Sequence, residues 1–247
     1  MSHDLSYEAA TVPIRGDLVA AHQRAWRRLA QPGTWWTGAQ RVAIAAETRQ
    51  AVTCRLCQLR QTAVTPYAVS GQHDHLGELS ELIIDVIHRV RMDASRLTAS
   101  WYNQVIDNGL SDAAYVEIVG VIATIIAIDT FTHAMGLAKH PLPSPVAGEP
   151  SRYRPDGAKP GMAWVPTIAP EDVVEADQML YAELSGAHIH RALSLVPAEV
   201  LGFFDLDAVQ YLPDAALRDF GREYRAITHA QIELLAARVS VLNQCFY

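Results

Sequence analysis

Apolar residues recur every three or four positions along most of the chain, and no stretch alternates apolar and polar residues long enough for a half-buried strand. This pattern predicts an all-α protein. Two helix starts carry the same local signature. Thr37-Gly-Ala-Gln40 and Thr228-His-Ala-Gln231 both have the form of a capping box, in which a hydroxyl accepts from first-turn amides and a glutamine reaches back. Helices are therefore predicted over about 37–65 and from about 228 to the end, with others at about 16–31, 79–92, 96–108, 112–138, 171–195 and 198–211. Ser111 is a cap for the helix from 112, and Gly109 a stop for the one before it. The longest apolar run, Ile118 to Ile128, lies between Glu117 and Asp129. It falls short of the roughly 20 residues that cross a bilayer and reads as a buried helix.

Eight of the thirteen prolines fall between Pro141 and Pro170, interleaved with Gly148, Gly157 and Gly161, a density that no regular element survives. Apolar and aromatic residues such as Leu142 and Trp164 predict that this connector packs along the surface. The chain divides there into an N-terminal helical domain (1–140), the connector (141–170) and a C-terminal helical segment (171–247). That segment begins an earlier pattern again. With Thr37 laid on Thr228, Ala45-Ala46 falls on Ala236-Ala237 and Cys54 on Cys245 without a gap. The sequence ends at Tyr247, one residue short of where a partner three places beyond Cys245 would stand.

Half of the 247 residues are apolar, enough for a substantial core. A net charge of -7 without a basic cluster argues against nucleic acid or an anionic membrane as partner. Met1 to Glu8 has neither a basic start nor an apolar run, so no secretory signal is read, and a cytoplasmic location is expected. Three cysteines fit a reducing compartment, in which a paired motif is catalytic or metal-binding more often than a structural staple.

That motif is Cys54-Arg-Leu-Cys57. Three readings compete for it: a dithiol–disulfide pair, half of a zinc tetrahedron completed by Cys245 and one of the ten histidines, or two inert buried thiols. With a single cysteine pair, neither a metal nor another cofactor is expected. A redox thiol must become a thiolate. Cys54 is expected inside its helix, with Arg49, Arg55 and Arg60 as the nearby cations. Glu47 stands seven residues before Cys54, two turns away on the same face, and is a candidate proton acceptor. A Cys54–Cys57 disulfide also requires the helix to tighten or end near Cys57, because i and i+3 Cβ atoms are about 5–6 Å apart and a disulfide needs about 3.5–4.5 Å.

Other polar groups have a structural reading beside the chemical one. Glu117, at the start of the most apolar helix, is either a proton relay or a carboxylate favoured by the macrodipole, and Glu233 is its counterpart near the C-terminus. Asp129 and His133 read as a paired polar couple in the core, and His133 is the histidine expected to meet the cysteines. Glu81, Asp85 and His88, at i, i+4 and i+7, have the residue types by which helical bundles hold metals but read first as a solvated face, and His73-x-His75 and His188-x-His190 read as surface features. Trp35-Trp36 and Trp101-Tyr102 read as core or subunit contacts, or as the wall of an apolar substrate pocket.

The segment Gln231 to Tyr247, with Glu233 and Cys245 at the spacing E-x11-C, resembles the signature helix of the alkylhydroperoxidase D and carboxymuconolactone decarboxylase superfamily, whose redox members carry E-x11-C-x2-C-x3-H. The first copy supplies both cysteines, with Val42 at the glutamate position and Gln61 at the histidine position. Ala114 to Gly120 and the apolar helix after it are similar to that family's closing helix. The resemblance implies an all-helical bundle with a repeated signature helix, assembled as a homo-oligomer. It also implies reduction of a small peroxide by Cys57 as attacking thiol and Cys54 as its resolving partner, with an external thiol or dithiol as reductant. A lyase or isomerase of the decarboxylase type, in which cysteine is incidental, and a non-catalytic binding or assembly module are the alternatives.

Overall fold

A computed structural model describes residues 5–245. Among these the regular elements are all helical, and the only β-type pairing is an isolated bridge between Lys159 and Thr167. The bundle is built from α1 (Gly16–Ala30), α2 (Gly38–Gln50), α3 (Arg55–Thr62), α4 (Glu81–Asp93), α5 (Ala99–Asp107) and α6 (Asp112–Ala134), followed after the connector by α7 (His188–Arg191), α8 (Pro197–Gln210), α9 (Asp214–Leu217) and α10 (His229–Leu242). The expected helices at 16–31, 79–92, 96–108, 112–138 and 198–211 correspond to α1, α4, α5, α6 and α8.

Helix α6 is the centre. Ser111 caps it by accepting from the Ala114 amide, and Ile118, Val121, Ile122, Ile125 and Ile128 are buried among α2, α4 and α8. By length and composition α6 matches a membrane span, yet it forms the interior of this bundle. Each such side chain contributes roughly 1.5–3 kcal/mol on burial. Trp36, Trp101 and Tyr102 join the same core, as do Leu193, Leu195, Val196, Val200 and Leu206 from the C-terminal segment. Helix α8 packs on both α1 and α6. The connector does follow the surface: the Val146 amide donates to the Ala30 carbonyl, the Arg152 amide to Thr34, and the Trp26 indole to Pro141.

Two expected helices are corrected. The run over 37–65 breaks after Gln50, where Ala51–Thr53 forms a single 3-10 turn and Cys54 is extended (φ -66°, ψ 122°). Val52 and Thr53 are β-branched, and the Thr53 hydroxyl donates back to the Gln50 carbonyl, which favours ending the helix. Asp74 then accepts from the Arg55 amide and helps to start α3. The run over 171–195 holds only isolated turns and α7. Gly186 at φ 69° interrupts it, packed so closely on Pro170 that a Cβ there would stand 2.2 Å from the proline ring.

Both capping boxes form, at Thr37 with Gln40 and at Thr228 with Gln231, and both helices end shortly before a cysteine. Their surroundings differ. Ile44 of α2 is fully buried, whereas Leu235, which aligns with it, is exposed together with Leu234, Val239, Val241 and Leu242. Helix α10 rests on Leu212 and Ala216 through Ile232. Phe246 and Tyr247, the last positions of the repeat, lie outside the described residues.

A buried ion cluster ties four helices together. Arg41 of α2 donates to Glu117 of α6 and to Glu199 of α8 (2.7 Å), and Arg28 of α1 donates to Glu199 (2.9 Å) and Thr124 (3.2 Å). Gly33 and Gly120 lie so close to these carboxylates that a Cβ on either would collide with them. Removing one partner of such a group leaves uncompensated buried charge, so Arg41→Ala is expected to lose about 3–5 kcal/mol in urea denaturation, and a loss below about 1 kcal/mol contradicts this role. A second prediction concerns acid. Burial, assisted by His140, holds the fully buried His22 down to about 4, against 6.5 for a free imidazole. Between these values the unfolded chain binds a proton that the native state does not. Stability is therefore full above pH 6.5 and is lost progressively toward pH 4, by about 3 kcal/mol at the limit. Chemical denaturation across this range should show a shallower fall in His22→Gln; an unchanged slope contradicts the assignment.

Candidate functional site

The break between α2 and α3 places the two cysteines at the beginning of a helix. Cys54 is the residue before α3 and Cys57 lies in its first turn, with 0% and 3% of their surfaces exposed. Both are free thiols. They face two histidines from outside the helix: His73, from the irregular stretch between α3 and α4, and His88, from α4. His73 Nδ1 lies 3.5 Å from Cys54 Sγ and 3.6 Å from Cys57 Sγ, and His88 Nδ1 lies 3.2 Å from Cys57 Sγ. These two sulfurs and two nitrogens all lie within 4.8 Å of one another. The imidazole rings are 4.3 Å apart between centroids.

Carboxylates fix the far side of each ring. His88 Nε2 meets Glu47 Oε1 of α2 at 2.8 Å, where both groups are buried, and His73 Nε2 meets Asp85 Oδ1 of α4 at 3.0 Å. An ionised carboxylate only accepts, so Glu47 favours the proton of His88 on Nε2 and turns the lone pair of its Nδ1 toward Cys57; at His73 the Asp85 contact favours the same tautomer, with Arg60 Nη1 3.2 Å from the same Nε2 and donating to the same Asp85 oxygen. Arg60 Nη1 sits against the same Asp85 oxygen, Arg89 and the Trp101 indole also donate to Asp85, and the Leu76 amide donates to Glu47. The irregular stretch is held at Asp74 as well: its amide donates to Cys54 Sγ at 3.4 Å, its carboxylate accepts from the Arg55 amide, and its carbonyl accepts from Gln50.

Burial pushes the Cys57 thiol up, and a charge on Cys54 adds to the effect. Burial also pulls His88 down while its bond to Glu47 acts the other way. Asp85 is held well below the usual carboxylate range: burial opposes this, but the hydrogen bond from His73 and the charge of Arg89 prevail. A cavity of about 170 Å³, lined by Arg60, Gly71, His73, His75 and Asp85, adjoins the outer side of His73.

The sequence-derived candidates divide sharply. Cys54, Cys57 and Glu47 converge, although Glu47 reaches the thiols through His88 and not directly. Glu117 does not join them; it belongs to the buried pair with Arg41 and accepts from the Trp35 amide. His133 is exposed, and Asp129 pairs with Arg49 instead of with it. Cys245 is exposed, so it is not a third ligand beside the pair. Glu233 is a surface residue that accepts from the Tyr211 hydroxyl. Gln61, at the resemblance's histidine position, donates to the Met92 carbonyl. His75 and His188 are exposed as expected, while His190 is buried near Asp214.

His73, His88 and Asp85 read as surface residues from the sequence, and the fold brings them to the thiols instead. Their signals were weak but present: a histidine 16 positions after Cys57, and a carboxylate and imidazole one turn apart on an amphipathic helix. Comparisons of the chain with protein-family models, curated proteins and solved structures give no match.

Proposed function

We propose that Cys54 and Cys57 form a thiol redox pair that reduces a small peroxide, in the manner of the alkylhydroperoxidase D family. The observation that carries this reading is the chain Glu47–His88–Cys57, in which a buried carboxylate orients an imidazole whose free lone pair faces a thiol at 3.2 Å. In space these groups stand in for the family's glutamate and histidine, whose sequence positions hold Val42 and Gln61.

The Cys57 sulfur attacks the terminal peroxide oxygen as His88 Nδ1 takes the thiol proton, and Glu47 stabilises the resulting imidazolium. The O–O bond breaks and the leaving oxygen departs as an alcohol, or as water from hydrogen peroxide, after receiving a proton. Cys54 then attacks the sulfenic sulfur, releasing water and forming the disulfide; His73, beside both sulfurs, is placed to take the second thiol proton. An external dithiol restores the pair. The extended backbone at Cys54 helps the disulfide to close, since the two cysteines do not both lie within a continuous helix.

Titration of reduced, metal-free protein with hydrogen peroxide tests the reading. Two of the three thiols should disappear together, and mass spectrometry should find one Cys54–Cys57 bridge. Turnover with a dithiol should vanish in Cys54→Ser and in Cys57→Ser and persist in Cys245→Ser. Glu47→Gln should slow thiol loss by roughly 10²–10⁴-fold if its relay is the operative base. A double Cys54→Ser, Cys57→Ser variant with full turnover would refute the assignment.

A further inference from the structure

We propose that Cys54, Cys57, His73 and His88 form a tetrahedral binding site for one zinc ion. The inference concerns the same four atoms as the dithiol reading but stands independently of it. Zinc holds thiolate sulfur at about 2.3 Å and imidazole nitrogen at about 2.0–2.1 Å, so the edges of its tetrahedron run roughly 3.4–3.8 Å. The sulfur–nitrogen separations of 3.5 and 3.6 Å match such edges, the third, 3.2 Å, is slightly shorter, and all four atoms lie within 4.8 Å of one another, so a small contraction would close the set on an ion. Hydrogen bonding alone accounts for this less completely. Two thiols supply two protons, one for each Nδ1, which leaves the additional approach of Cys57 Sγ to His73 Nδ1 without a proton of its own.

The surroundings are those of a metal centre. Each imidazole points Nδ1 inward and gives Nε2–H to a carboxylate, the arrangement that orients a zinc-bound histidine and raises its basicity. The Asp74 amide donates to Cys54 Sγ, as suits a thiolate. Two thiolates balance the charge of the ion, so a neutral unit replaces two thiols in a buried position. The donor set of two sulfurs and two imidazoles favours zinc over magnesium or calcium, which take oxygen ligands. The ligands follow the pattern C-x2-C-x15-H-x14-H. The expectation that no metal is held rested on the missing second cysteine pair; the fold supplies two histidines in its place.

The ion would pin the irregular stretch around His73 between α3 and α4. A bound zinc and a Cys54–Cys57 disulfide use the same sulfurs and exclude each other, so metal would hold the pair reduced. Oxidation by hydrogen peroxide consumes two thiolates and two protons, gives the disulfide and two waters, and releases the ion.

Cobalt(II) titration of reduced, metal-free full-length protein tests the site. The expected result is one equivalent bound with the intense visible d–d bands and sulfur-to-metal charge transfer of a tetrahedral thiolate centre, displaced stoichiometrically by zinc. His88→Ala and His73→Ala should abolish those bands. Asp85→Asn, which keeps all four ligands, should retain them and weaken binding by about 10–100-fold. Absence of tetrahedral bands overturns the proposal, as do bands that survive both histidine variants. If peroxide oxidises the metal-free pair but cobalt does not bind, this inference fails and the redox reading stands. Tight cobalt binding, with no peroxide-dependent thiol loss in the metal-free protein, supports the metal site and refutes the redox reading.

Discussion

The contact between Glu47 and His88, 2.8 Å across the packing of α2 on α4, is the interaction on which the candidate site depends. A buried carboxylate without a partner is costly, and a buried imidazole has two nitrogens to satisfy. Pairing them settles both needs and decides which nitrogen faces the cysteines. The Leu76 amide adds a second bond to Glu47, so the same carboxylate anchors the irregular stretch that carries His73. His73 repeats the arrangement with Asp85 nearer the surface. Two carboxylates thus orient two rings, and the two rings face both thiols.

The bundle around the site holds these parts in register. Helix α6 is buried along most of its length and packs on both α2 and α4, which fixes the separation at which Glu47 and His88 meet. The cluster of Arg41, Glu117, Glu199 and Arg28 joins α1, α2, α6 and α8 on another face. It pairs Arg41, Glu117 and Glu199, three buried charged residues that take no part in the cysteine chemistry. Glu117 illustrates the distinction: a buried acid near the start of the most apolar helix is explained by an arginine from another helix.

Much of this was legible in the sequence. The 3.6-residue periodicity located α1, α4, α5, α6 and α8, and the Thr-x-x-Gln signatures located the starts of α2 and α10, because amphipathic faces and caps are local properties. The Cys54–Cys57 pair was legible as a local motif, whereas Glu47 was singled out as sharing a helix face with Cys54, and the break after Gln50 removes that face and leaves Glu47 against His88. The break at 51–53 was harder to read, since Val52 and Thr53 are tolerated within helices and the interruption also depends on Asp74, far along the chain. His73 and His88 were not legible as partners. One sits in a stretch without regular structure and the other on a helix flanked by charged residues; the packing of α3 against α4 brings His88 to the thiols, and the bonds made by Asp74 and Leu76 hold the stretch that carries His73. The comparison of α2 with α10 makes the same point. Their caps match, but Ile44 is buried and Leu235 is exposed, because burial is set by neighbours that the local signature does not encode.

The orientation of the two imidazoles is the central claim, and it can be observed directly. Long-range ¹H–¹⁵N correlation spectra of the reduced, metal-free protein near neutral pH report which ring nitrogen carries the proton. Protonated Nε2 with unprotonated Nδ1 on both His73 and His88 is the predicted result. A proton on Nδ1 of either neutral ring would contradict the account, because that nitrogen would then have no lone pair to offer a thiol proton or a metal.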